Sequence, residues 1–181
     1  MRHLLLALPL ALLSPILTAQ EHEHASLRTH EHGVGTLNLA LDGQILELNL
    51  ESPAMNLIGF EHAPHSEEER ARVAALRAQL EQPLELVALP AAAGCTLAAQ
   101  ELDGRLFAEH EHEHEHEHDH GHSDIRASYR LTCAHPERLE ALDLAAFFAR
   151  FPATHRLAAQ LIGPAGQRGA ELTPDNPRLL F

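Results

Sequence analysis

From Glu109 to His122 the chain reads EHEHEHEHEHDHGH. Seven imidazoles therefore fall on alternate positions: His110, His112, His114, His116, His118, His120 and His122. Neutral imidazole is a favoured ligand for zinc, copper and nickel, and carboxylates can complete or neutralise the coordination sphere. The tract contains no apolar residue, so it cannot bury itself, and the expectation is a disordered loop at 108–124 when no metal is bound. Any three or four of its histidines can wrap one ion in many equivalent ways. That predicts several ions, moderate affinity and little geometric selectivity. Two blander readings stand beside it: a solvated low-complexity insert, and a charge switch whose imidazoles titrate near neutrality. An added purification tag is a poor fit, because the tract is internal and strand-like runs frame it.

Further histidines repeat the theme. His22, His24, His30 and His32 lie in a charged stretch, 20–32, with the same Glu-His spelling. If the mature chain begins at Gln20, its amine, two backbone amides and the His22 imidazole form a square-planar set suited to Cu(II) or Ni(II). Cyclisation of Gln20 would remove that amine. Glu61, His62 and His65 form a third group, in which either histidine could join His30 or His32 in a fixed site; a hydrogen-bonded polar loop is the competing reading. His135 and His155 stand alone and read as structural or surface residues. Outside the Glu-His alternation no Ser-His-Asp set, H-E-x-x-H or phosphate-binding glycine loop occurs, so the sequence offers no catalytic constellation and the expectation is a non-enzyme.

The elements that must position these residues are legible in part. Leu37, Leu39 and Leu41 alternate with polar or small residues, then comes Asp42-Gly43, then Leu46, Leu48 and Leu50. An Asp-Gly pair between alternating runs signals a hairpin. A two-residue loop at Asp42-Gly43 would pair positions summing to 85, Leu39 with Leu46 and Leu37 with Leu48. Pro53 ends the second strand, and Asn56 to Pro64 reads as an irregular connection. Ser66 followed by Glu69 is a capping box, and Glu67, Glu68 and Glu69 suit the positive end of a helix dipole, so a helix is expected from Glu67 to Glu81. Leu84 to Leu89 reads as a short strand. Strand-like runs Cys95–Phe107 and Ile125–Cys133 enter and leave the tract. Paired so that positions sum to 228, they set Cys95 opposite Cys133, Leu97 opposite Leu131 and Ala99 opposite Tyr129. A second helix is expected over Glu137–Arg150, then a strand through Leu157, Ala159 and Leu161, a Gly-Pro-Ala-Gly turn and a last strand near Gly169–Thr173. The fold class that follows is α+β, an antiparallel sheet built from hairpins with two helices and a flexible His-rich loop at one hairpin tip.

Met1-Arg2-His3, the apolar run Leu4–Leu13 and the close Leu17-Thr18-Ala19 have the order of a secretory signal peptide, too short and too broken by Pro9 to span a bilayer permanently. Cleavage after Ala19 would give a flexible His/Glu arm at 20–32 and one domain at 33–181, with no membrane insertion afterwards. An exported chain with two cysteines favours a Cys95–Cys133 disulfide, zinc thiolates being the alternative. The formal charge is −13 and lysine is absent, which opposes nucleic-acid binding and favours cations as partners.

These features resemble the ZrgA-like family of periplasmic zinc-binding proteins. The resemblance rests on His30-Glu31-His32-Gly33, LESPAMNLIGFEHAP from Leu50 to Pro64, Gly94-Cys95, the internal tract, Cys133, Phe151-Pro152, Gln160 and Gly166-Gln167. It implies a role in zinc acquisition in the Gram-negative envelope, with zinc as the bound ion and a zinc importer's substrate-binding protein as a possible partner. Three alternatives remain: an envelope copper or nickel protein, a zinc-dependent enzyme with its site near His62, and the importer's own solute-binding protein, for which the chain is short.

Overall fold

The computed structural model describes residues 31–107 and 123–181. The proposed signal peptide, most of the arm including His30, and the seven tract histidines lie outside the described residues.

Alternation at period two produces the first pair of strands, β1 (Val34–Asp42) and β2 (Ile45–Pro53). Their register is two residues from the expected one. Asp42 pairs with Ile45, Leu39 with Leu48 and Leu37 with Leu50, so Gly43, at φ 55°, and Gln44 form the turn. A slip of two preserves side-chain parity, and the leucines still share a face. Pro53 then starts α1 (Ala54–Ile58), ended by Gly59 at φ 85°. This one-turn helix occupies the start of the stretch expected to be irregular.

The helix α2 (Glu67–Leu80) follows the sequence signal closely. Ser66 accepts from the Glu69 amide and the Glu69 carboxylate reaches back to the Ser66 amide, so both halves of the capping box form. Beyond it, Pro83–Leu86 is not a strand but a single helical turn, α3, with proline at its first position, where a missing N–H costs nothing.

β3 (Cys95–Asp103) and β4 (Asp124–Cys133) pair antiparallel with Cys95 opposite Cys133 and Leu97 opposite Leu131. A bulge after Leu97 shifts the rest by one, so Ala99 meets Arg130 rather than Tyr129. The Cys95–Cys133 disulfide is formed.

The helix expected over Glu137–Arg150 is broken. Pro136–Arg138 is a single 3-10 turn, Ala141–Asp143 is a strand, β5, paired with the C-terminal β8 (Arg178–Leu180), and only Ala145–Arg150 is α-helical, α4. Spacings of three and four among Leu139, Leu142 and Ala146 suited a helix. The pairing with β8, distant in sequence, overrides that local pattern. β6 (Arg156–Gly163) and β7 (Gly166–Leu172) form the last hairpin.

The main sheet runs β3-β4-β2-β1-β6-β7. It is mixed, not purely antiparallel, because β6 lies parallel to β1. Alternation reports which side chains face the core, but it carries no information on neighbour direction. One face of the sheet, with Leu37, Leu48, Ile125, Leu131 and Leu157 buried, packs under the helices through Leu80, Leu86, Phe147 and Phe148. Each fully buried leucine or phenylalanine contributes about 1.5–3 kcal/mol over its exposed state. The other face is wet, with exposed residues such as Asn38 and Asn49 and ion pairs such as Arg130–Glu47 at 2.7 Å.

Candidate functional site

The short helix α1 fixes where His-rich sequence meets the fold. Asn56, buried, accepts a hydrogen bond from the Gly33 amide at 2.6 Å through Oδ1. Its Nδ2 donates to the Val34 carbonyl at 3.0 Å and to Ser52 Oγ at 3.2 Å. The Gly33 carbonyl accepts from the amides of His155 and Arg156 at 2.8 and 3.0 Å. Gly33 has φ 86°, and a Cβ there would stand 2.8 Å from His155 Nδ1, so only glycine fits. Two residues before Asn56, the Ala54 amide donates to the Ser123 carbonyl at 2.8 Å. One helix thus holds the root of the arm at Gly33 and the return point of the tract at Ser123. The tract departs from Phe107, whose ring lies 5.7 Å from the Arg77 guanidinium of α2.

Beside the root of the arm run Phe60 to Ser66. Arg72 of α2 donates to the Ile58 carbonyl and covers the Phe60 ring at 5.4 Å. The Phe60 and His62 rings stack at 5.0 Å, and those of His62 and His65 at 5.1 Å with an 11° interplanar angle. The spacing of three does bring His62 and His65 together. His32 is placed against Glu61, Nε2 to Oε1 3.2 Å, while His62 faces a different carboxylate, Glu69, at 3.8 Å. Among the described residues, no three His, Cys, Asp or Glu side chains converge as they stand into a group able to hold a metal ion.

Glu69 has a part that its role in the capping box concealed. One oxygen, Oε2, accepts from the His65 amide at 2.7 Å and from the Ser66 amide at 3.2 Å. The His65 amide bond is the main cause that holds its carboxyl below the usual carboxylate range, against some desolvation, with the Ser66 amide and the two imidazoles in their protonated form adding to it. Its separation from His62, seven residues, was the available signal. Asn56 gave none beyond its place within the LESPAMN segment. His135 sits 3.6 Å from Glu137 on the surface, and His155 is exposed with its amide bound to Gly33.

Fold and site together define a small mixed-sheet domain that presents imidazoles and carboxylates on loop and helix ends beside the root of the His-rich arm. The chain belongs to the ZrgA family of zinc uptake proteins, which it matches over residues 29–181. That span takes in the whole described domain and the tract. No curated protein matches the chain. Among the described residues no helix is long and apolar enough to cross a membrane.

Proposed function

We propose that this protein is exported to the periplasm, where it captures or buffers zinc through the tract His110–His122 and passes it toward an importer. The observation that carries this reading is the tract itself: seven alternating imidazoles interleaved with carboxylates, in a chain whose family is one of zinc uptake. Such a tract suits transfer, because many equivalent ligand sets allow moderate affinity and exchange between them, whereas a closed tetrahedral site would retain its ion. His30 and His32 of the arm and the framework pair His62 and His65 stand as additional ligands. The role is that of a carrier and not a catalyst, and the substrate-binding protein of a zinc importer is the natural recipient.

The test is growth of the producing cell under zinc limitation. Cells without the chain should grow poorly and be rescued by the intact protein, but not by a variant with serine at all seven tract histidines. Full rescue by that variant would remove the tract from the function.

A further inference from the structure

A second metal question arises at the start of α2. His62 Nδ1 lies 2.9 Å from the Ala63 carbonyl oxygen. That oxygen can only accept, so Nδ1 must carry a proton. When the ring is neutral Nε2 is then a bare lone pair, 3.8 Å from the carboxylate oxygen Oε1 of Glu69. In that state two acceptors stand opposite each other. The separation is too long for a direct hydrogen bond, and a metal cation between them would resolve the opposition as protonation of the ring would.

The dimensions suit a metal ion. Ligand bonds near 2.0–2.2 Å at a tetrahedral angle set donors about 3.4 Å apart, so His62 and Glu69 need to close by only a few tenths of an ångström. The other Glu69 oxygen is already tied down by the His65 and Ser66 amides, which aims Oε1 and limits its freedom, the role of outer-shell bonds in metal sites. His65 supplies a third donor. Its ring is stacked parallel to His62 at 5.1 Å, and its side chain is exposed, so it can turn toward the same point.

We propose that His62, His65 and Glu69 form a fixed site for one zinc-class divalent ion, with a solvent molecule or an incoming ligand in the fourth position. The proposal rests on the reading of His62 and His65 as metal ligands, but it does not rest on the tract. It adds Glu69 as the anionic ligand and makes the capping box of α2 the scaffold of the site. Three protein ligands and an open position suit an ion that is exchanged.

The capping box also supplies the test. Glutamine can replace glutamate in it, since an amide oxygen still accepts from the Ser66 and His65 amides. Its remaining group is then an NH2, which cannot ligate. Glu69→Gln in the full mature chain should therefore leave metal-free thermal stability close to that of the wild type, while removing the ligand. Zinc affinity would be measured by competition with chromophoric chelators of graded strength, in the intact protein and in the variant with serine at all seven tract histidines. In the tract variant one ion should remain, and Glu69→Gln or His62→Ala should each weaken it by at least about 100-fold, more than the 10- to 100-fold typical of an outer-shell partner. If no ion remains in the tract variant, or if one remains that neither substitution weakens, the fixed site does not exist. If His62→Ala weakens it and Glu69→Gln does not, the histidines bind without Glu69 and the three-ligand site is overturned. Failure of the tract reading would show elsewhere, as an unchanged ion count on replacing the seven histidines.

Discussion

Replacing Asn56 by leucine removes the junction between α1 and the root of the arm. Leucine fills about the same space, so little cavity is created and the loss is one of polar partners. Two backbone groups lose theirs: the Gly33 amide at 2.6 Å and the Val34 carbonyl at 3.0 Å. Ser52 Oγ also loses a donor, although it keeps a contact to the Pro53 carbonyl at 3.4 Å. A buried group left without a partner costs about 1–3 kcal/mol. The Gly33 amide bears the full penalty, and the part-buried Val34 carbonyl bears less because water can reach it. The expected loss is about 2–4 kcal/mol, a large share of the roughly 5–15 kcal/mol that stabilises a domain. Urea unfolding of the mature protein should show a lower midpoint at unchanged slope, and the thermal midpoint should fall by roughly 5–15 °C. Amide exchange at Gly33 should accelerate beyond the global change. A loss under about 0.5 kcal/mol, the range of an ordinary surface substitution, would refute the claim that these hydrogen bonds fasten the arm to the fold.

Other outcomes follow from single groups. Tyr129 is the chain's one tyrosine; it is buried and donates to the Leu80 carbonyl at 2.8 Å, and burial pushes its phenol well above the usual value. The folded state therefore holds the phenolic proton more tightly, so this stabilisation is complete below pH of about 10 and declines as pH rises toward the folded value. Phenolate absorbance should appear only with unfolding, and Tyr129→Phe should cost about 1–2 kcal/mol at neutral pH while flattening the alkaline decline. Zinc binding requires deprotonated imidazoles, so capture by the tract should weaken as pH falls through about 6.5. Equilibrium dialysis at pH 7.5 and pH 5 checks this, and full binding at pH 5 would count against the histidines.

Much of the fold was legible wherever one local rule dominated. The Ser66–Glu69 box located α2 nearly to the residue, and the two cysteines fixed the β3–β4 register up to the bulge. Parity placed Leu37, Leu39, Leu46 and Leu48 on the core face although the turn sits one position later than expected. What escaped depends on partners remote in the chain. β5 exists because β8 pairs with it, and β6 runs parallel to β1, neither of which leaves a local trace. At the site, the spacing of His62 and His65 was readable. Glu69 was hidden behind its capping role, and Asn56 in a stretch without periodicity gave no sign that it anchors Gly33.

The central claim is capture of zinc by the tract, and calorimetric titration of zinc into the mature protein tests it most directly. The comparison is a variant with serine at His110, His112, His114, His116, His118, His120 and His122, its fold verified by its unfolding midpoint. The account predicts that the intact protein binds several ions and that the variant loses all but the framework ion. Equal ion counts and affinities in the two proteins would contradict it.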